Sequence, residues 1–177
     1  MMKYYNLPLI NRLFLAAISG ALVFPVSFLE NINQTIYADI SLIDILISII
    51  FALLVMVPFQ KRKNWLKSTL MVIASIAIYS TMVNLAVNNY GAFSLNLNLQ
   101  WSITISGSLG ALLTGITIKL IAQLHLKNSV YLTLIVLGLI AGYIFSITIE
   151  SKSSLITSFG FSVWQVLTCL AIVISKK

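Results

Sequence analysis

Ionisable chemistry is what this 177-residue chain has least of: four carboxylates, one histidine and one cysteine. The single cysteine, Cys169, excludes an internal disulfide, a Cys-x-x-Cys redox pair and a thiolate metal cluster. His125 and the scattered Glu30, Asp39, Asp44 and Glu150 form no ligand set at a metal-site spacing, so neither metal nor cofactor is expected. The same scarcity excludes a proton relay, which needs several carboxylates or histidines through the depth of a membrane. Charged residues make up 8% of the chain against 59% hydrophobic, and mean hydropathy is +1.01. That leaves too little polar surface to coat a water-soluble globule, so the composition is that of a membrane protein. A net charge of +7 raises the question of nucleic acid, but a nucleic-acid footprint needs basic residues gathered on one face. Here they sit as loop anchors, and no nucleic-acid partner is expected.

What is present is a series of apolar runs. About 20 apolar residues are needed to cross the hydrocarbon core as a helix. Six segments qualify, at approximately 13–29, 40–59, 66–87, 101–124, 130–149 and 155–175. Lys3, Arg12, Lys61, Arg62, Lys63, Lys67, Lys119, Lys127, Lys176 and Lys177 all fall on one side of this arrangement. The four carboxylates fall in or beside the opposite loops, where Lys152 is the one cation. Positive residues are retained on the cytoplasmic side, so both termini are predicted inside. The N-terminal run has a basic flank like that of a signal peptide, but it continues through Pro25 and is read as a retained first span. The expectation is an all-α integral membrane protein: a single domain over 1–177, folded as a compact bundle of six transmembrane helices in a bacterial inner membrane.

Each run carries small or weakly polar residues at helical spacing. Ala17 pairs with Ala21 and Ala16 with Gly20 on the first; Asp44, Ser48 and Ala52 step by four along the second; Ser80, Asn84 and Asn88 do so along the third. The fourth has Ser106, Gly110 and Thr114 beside a second row of Gly107, Ala111 and Gly115. The fifth has Gly138, Gly142 and Ser146, and the sixth Ser158, Ser162, Gln165 and Cys169. Residues four apart share a helix face, so each helix owns one stripe where another backbone can approach and where hydroxyls and amides escape lipid. Ala17, Ala21, Gly107, Gly110, Gly138 and Gly142 are the expected packing positions. Gly138-x-x-x-Gly142 also matches a dimerisation spacing, but among six helices it serves internal packing, and a homo-oligomer is not favoured. Asp44 lies about one turn inside its span, as a buried polar group or an interfacial carboxylate. Lys119 can extend its ammonium to the headgroups.

Ile105-Ser106-Gly107-Ser108-Leu109-Gly110-Ala111 resembles the glycine-serine motif that presents the nucleophile on the fourth helix of rhomboid intramembrane proteases. That resemblance implies a histidine base on the sixth helix. The sixth run here has none, and an unassisted hydroxyl is a poor nucleophile. The chain is therefore expected not to be an enzyme.

The connection at 88–100 is the most individual loop, with Leu95, Leu97 and Leu99 alternating with Asn96, Asn98 and Gln100. Strict alternation puts leucines on one side of an extended segment and amides on the other. Candidate ligand- or partner-binding residues are Asn84, Asn88, Asn96, Asn98, Trp101, Trp164 and Gln165, with Tyr79 and Tyr143 as further lining groups. The leading expectation is a protein that acts through contact with another membrane or periplasmic protein, as an accessory subunit or an immunity-type protein. The alternative is the solute-binding membrane component of an importer. In size, helix count and cytoplasmic termini the chain resembles the substrate-capturing subunits of energy-coupling-factor vitamin transporters, and Ala17-x-x-x-Ala21 is similar to their docking motif. The uncharged candidate groups would then suit a small neutral or aromatic compound.

Overall fold

The computed structural model describes residues 8–27, 35–37, 40–60, 64–88, 99–124, 126–150 and 154–174, with the side chains of all but 27, 35–37, 40–41, 87–88, 149–150 and 154–158. The first span is split. Helix α1 (Leu9–Ala21) is followed after Leu22 by α2 (Val23–Ser27). Pro25 explains the break, since it has no N–H for the Ala21 carbonyl and its ring crowds that carbonyl. A short antiparallel ribbon, β1 (Thr35–Tyr37) with β2 (Ile40–Ser41), pairs Thr35 with Ser41 and Tyr37 with Ile40. Ile40 and Ser41, expected inside the second span, therefore belong to this ribbon. Helix α3 (Leu42–Phe51) runs on through a π turn (Ala52–Met56) and a 3₁₀ turn (Val57–Phe59). Pro58 cannot donate to the helix ladder, and these two irregular turns absorb the defect.

Helix α4 (Trp65–Val83) also ends in a π turn, Asn84–Asn88. The Ser102 hydroxyl, from α5 (Leu99–Ala122), donates to the Leu85 carbonyl within that turn at 3.0 Å. Helices α6 (Ser129–Glu150) and α7 (Ser154–Ile174) complete the chain. Among the described residues, five stretches are long and apolar enough to cross a membrane: Leu9–Val26, Leu42–Phe59, Trp65–Ala86, Leu99–Ala122 and Ser129–Thr148. In α7 the residues with described side chains, Phe159–Ile174, form a further apolar stretch.

The helices close into a ring in which α3 packs on α4, α4 on α5, α5 on α6, α6 on α7, α7 on α1 and α1 back on α3. Most of these seams are crossed by a side-chain donor that reaches a neighbouring backbone carbonyl. Ser75 Oγ donates to Ser48 O (2.9 Å), Ser108 Oγ to Ile135 O (3.1 Å), Ser162 Oγ to Ala17 O (3.2 Å) and Cys169 Sγ to Arg12 O (3.8 Å). Inside a bilayer such a bond contributes about 0.6 kcal/mol on average. The α5–α6 seam is a close one, built on three glycines. A Cβ at Gly107 would stand 2.9 Å from Gly142 Cα, one at Gly142 2.7 Å from Thr104 O, and one at Gly138 2.8 Å from Ser108 Cα. Only glycine permits backbones this close.

Gly110 belongs elsewhere, facing the side chains of Met82 and Trp164. On α1 the packing face is Ala16 and Gly20, both buried, with Gly20 against the backbone of Ser162. Ala21 is exposed, so the expected Ala17-x-x-x-Ala21 face is displaced by one residue. A helix turns 100° per residue, which is enough to take Ala21 off the seam while Ala17 stays at its edge.

Beside an apolar core, many small polar residues are buried and many large apolar ones exposed. Ser48, Ser75, Ser106, Ser108, Thr114, Ser146, Gln165 and Thr168 are buried, while Ile10, Phe14, Leu53, Leu70, Ile73, Leu120, Leu132 and Ile140 are exposed. That distribution suits an apolar surrounding, with the hydroxyls of Ser48, Ser75, Ser108, Ser146 and Thr168 bonded to backbone carbonyls inside.

One end of the bundle is basic and closely knit. The Arg12 guanidinium lies 4.8 Å from the Phe59 ring centroid, and Lys67 Nζ bonds Gln123 Oε1 at 3.1 Å. Lys119 Nζ donates to Tyr131 Oη at 2.6 Å, which holds its ammonium within the protein fold. Gln123 is the described non-glycine residue with positive φ (55°), and Leu124 N–H reaches back to Lys119 O at 3.1 Å. This is a left-handed C-terminal cap that satisfies an otherwise open carbonyl. Gln60, buried at 2% exposure, organises the α3–α4 turn. It donates through Nε2 to Ser68 Oγ and Met71 Sδ and accepts Asn64 N–H, while Asn64 Oδ1 caps α4 by accepting Lys67 N–H.

Candidate functional site: a cavity between the helices

At the other half of the ring the side chains leave a gap. A cavity of about 90 Å³ lies between α3, α4, α5, α6 and α7 and is partly open to the surroundings. Ile47 and Phe51 come from α3; Ser75, Ile78, Tyr79 and Met82 from α4; Ala86 from its terminal π turn. Helix α5 supplies Ile103, Ser106, Gly107, Gly110 and Thr114, α6 supplies Phe145, and α7 supplies Phe161, Trp164 and Gln165. Ile47 lies in the first half of the Leu42–Phe59 span and Ile103 and Phe161 in the first halves of α5 and α7, whereas Met82 and Phe145 lie in the second halves of α4 and α6. The chain direction alternates from helix to helix, so all of these fall in the half remote from Lys67, Lys119 and the Gln60 turn.

The walls are mainly aromatic and aliphatic. Phe51 and Trp164 meet with ring centroids 5.6 Å apart, Tyr79 and Phe161 at 6.1 Å and near parallel, and Phe145 and Phe161 at 4.4 Å. Trp164 is locked by donating Nε1–H to Gly107 O at 3.0 Å. Gly110 makes room for that ring, since a Cβ there would stand 3.3 Å from Trp164 Cζ2 and 3.2 Å from Met82 Cγ.

Two polar atoms in the walls have no hydrogen-bond partner among the described residues: Thr114 Oγ1, on a residue with 0% exposure, and Gln165 Oε1, on one with 1%. A helical threonine usually satisfies its hydroxyl on the carbonyl one turn back, as Thr168 does on Trp164 O and Thr104 on Gln100 O. Thr114 does not. A buried polar group left open costs on the order of 1–3 kcal/mol, so a pair of them beside a cavity is a departure that calls for a partner. The hydroxyls of Ser19 and Ser80 are also open, but they lie off the cavity. No charged residue lines it among the described residues.

Of the sequence-derived candidates, the structure brings Trp164, Gln165, Tyr79, Gly107 and Gly110 together at this cavity. Asn84 is half-buried on the adjacent π turn, where its amide bonds Ser80 O at 3.0 Å, and it is not a lining residue. Trp101 is exposed on the first turn of α5, and Tyr143 is exposed on α6. Tyr143 is therefore removed from the candidate lining, because its stripe on α6 faces outward. Asp44 is half-buried one turn beyond Ile47 on α3, with its carbonyl accepting Ser48 Oγ–H at 2.6 Å. The side chain of Asn88, and Asn96 and Asn98 altogether, lie outside the described residues, as does His125.

Ser108 spends its hydroxyl on the Ile135 carbonyl. Phe51, Phe145, Phe161 and Thr114 are among the lining residues that sequence reasoning did not single out for binding. Thr114 was visible only as the third member of the Ser106, Gly110, Thr114 stripe, a signal that serves packing equally well. Comparison of the chain with protein-family models, with curated proteins and with solved structures finds no match.

Proposed function

We propose that this chain is a membrane-embedded binding protein for a small, largely apolar solute, held in the cavity between α3, α4, α5, α6 and α7. The observation that carries this reading is the pair of unsatisfied buried polar atoms, Thr114 Oγ1 and Gln165 Oε1, in the wall of an otherwise apolar gap. Ligand sites have this composition: apolar and aromatic walls with a few polar groups that fix orientation. The charge partition supports a site in a bacterial plasma membrane with both termini cytoplasmic, its Met82, Ile103 and Phe161 walls in the outer half and Thr114 and Gln165 at its deep end near the middle of the bundle. Such a protein would serve as the solute-capturing component of an importer.

The accessory-subunit or immunity-type reading draws on the chain's lack of chemistry. The exposed apolar row of α6 (Leu132, Ile135, Val136, Leu139, Ile140, Ile147) has the spacing that lipid contact alone requires. The cavity gives solute binding a geometric basis that the interaction reading lacks.

The test is thermal unfolding of the protein in lipid nanodiscs with single-ring compounds. A ligand present at 100 times its Kd stabilises the folded state by about 2.7 kcal/mol. The wild-type protein should gain stability with at least one compound, whereas Ser106→Phe and Ala86→Phe, which fill the cavity from two sides, should not. Equal responses of wild type and both filled variants to every compound would remove the cavity from the account.

A further inference from the structure

Between Asp44 and Glu150 the sequence contains no carboxylate, while every cation of that stretch lies in or beside the α3–α4 and α5–α6 connections. The bond from Lys67 Nζ to Gln123 Oε1 brings those two connections together at one end of the bundle. The partners that hold the cations there are neutral. Lys67 spends one donor on the Gln123 amide, and Lys119 spends one on Tyr131 Oη with its ammonium 5.1 Å from the centre of that ring. These contacts fix the ammonium groups in place without cancelling their charge, and an ammonium has further donors to give. Lys127 is exposed in the α5–α6 connection and adds to the same field.

The helix ends weight the two lysines differently. Lys119 lies in the last turn of α5, where the negative end of the helix offsets part of its charge. Lys67 lies in the first turn of α4, which has no acidic residue, so the positive end of that helix adds to its charge. Directly beside Lys67, Trp65 is 80% exposed, the placement of an aromatic at a membrane boundary. From the same level, exposed Leu66, Leu70 and Ile73 run along α4 toward the middle of the bundle, and exposed Leu120 and Leu113 do so along the neighbouring α5. Held positive charge at one level and a bare apolar face below it complement a molecule with an anionic head and hydrocarbon tails.

We infer that the basic ends of α4 and α5 bind an anionic phospholipid, with Lys67 as the principal headgroup contact, Lys119 as the second, and the acyl chains along the exposed leucines. The site is separate from the cavity and does not depend on it. Basic surfaces between membrane helices hold anionic headgroups in this way, each cation near such a lipid surface contributing about fivefold in affinity.

The experiment follows thermal unfolding by circular dichroism in dodecyl maltoside at physiological salt, while phosphatidylglycerol or phosphatidylcholine is titrated in. Phosphatidylglycerol should raise the melting temperature along a saturating curve that phosphatidylcholine does not reproduce. Lys67→Gln, which can still bond Gln123, should melt normally without lipid and need about fivefold more phosphatidylglycerol. Lys119→Gln should shift the curve by less, and Lys67→Arg should leave it in place, because an arginine keeps the charge and grips phosphate. The control Lys176→Gln, Lys177→Gln removes more charge from a different part of the chain and should leave the curve unmoved.

Equal responses of the wild type to both lipids, or a wild-type curve in Lys67→Gln, would overturn the inference. A control that shifts as far as Lys67→Gln would reduce the effect to net charge and overturn it too. Inorganic phosphate that reproduces the lipid response would assign the surface to a soluble anion, and a response to polyglutamate with none to phosphatidylglycerol would assign it to an acidic protein; either result replaces the lipid.

Discussion

The α5–α6 seam offers the sharpest quantitative test of the packing, through Gly142→Ala. The added Cβ would meet three backbone atoms of Thr104, its oxygen at 2.7 Å, Cα at 3.0 Å and C at 3.2 Å, where ordinary contact begins at 3.4 Å. Backbone cannot rotate away, so α6 must move off α5 by roughly 0.5–1 Å, which disturbs the neighbouring Gly107 and Gly138 contacts and the Ser108–Ile135 bond. Overpacking of this kind costs about 1–3 kcal/mol, against a gain in helix propensity of at most about 1 kcal/mol for replacing glycine by alanine. A net loss of about 1–2 kcal/mol is expected. In a chain of this size that corresponds to a fall in melting temperature of about 2–8 °C.

Gly115→Ala is the matched control. Its added Cβ meets only the side chain of Leu134, whose terminal methyl groups can turn aside, so near-unchanged stability is expected. The assay is thermal unfolding in detergent followed by circular dichroism. A Gly142→Ala protein as stable as Gly115→Ala, or more stable, would mean that α5 and α6 do not meet face to face at these glycines.

Gln60→Ala should destabilise the protein by about 1–3 kcal/mol, because the Asn64 N–H and Ser68 hydroxyl lose a buried partner; denaturant titration that finds a loss below about 0.5 kcal/mol would contradict the role of Gln60 in the α3–α4 turn. For orientation, single cysteines replacing Asn33, Asn96 or Ser153 in a Cys169→Ser background should react in intact cells with an impermeant thiol reagent, whereas Asn64→Cys and Asn128→Cys should not. Labelling at Asn64 would reverse the inferred topology.

The helices were legible in the sequence because a run of about 20 apolar residues has few other solutions, and the described ends fall within a few residues of the expected spans. The glycine stripes of α5 and α6 were legible too, since a residue with no side chain announces close approach wherever it recurs every four positions. The irregular parts were less so. The first helix starts at Leu9, ahead of the expected span, and breaks before Pro25, and the β1–β2 ribbon displaced the start of the second span, a pairing that alternation over so few residues does not announce.

At the candidate site, Trp164 and Gln165 could be named as amphipathic groups in an apolar run. Their convergence with Phe51, Tyr79 and Thr114 depends on how each helix is rotated, and periodicity leaves that open wherever a helix is apolar on every side. Ala21 illustrates the difficulty: the first helix carries two small-residue pairs one position apart, and only packing selects Ala16 with Gly20.

Occupancy of the cavity itself can be read from Trp164, whose ring forms part of its wall. In a Trp65→Phe, Trp101→Phe background it is the one remaining tryptophan, and both replaced residues are exposed. Titration of that protein in nanodiscs with phenol should change the Trp164 emission along a saturating curve, and the same titration after adding Ser106→Phe should show only the linear drift of solute entering lipid. Identical, non-saturating responses in the two proteins would contradict a binding site between α3, α4, α5, α6 and α7.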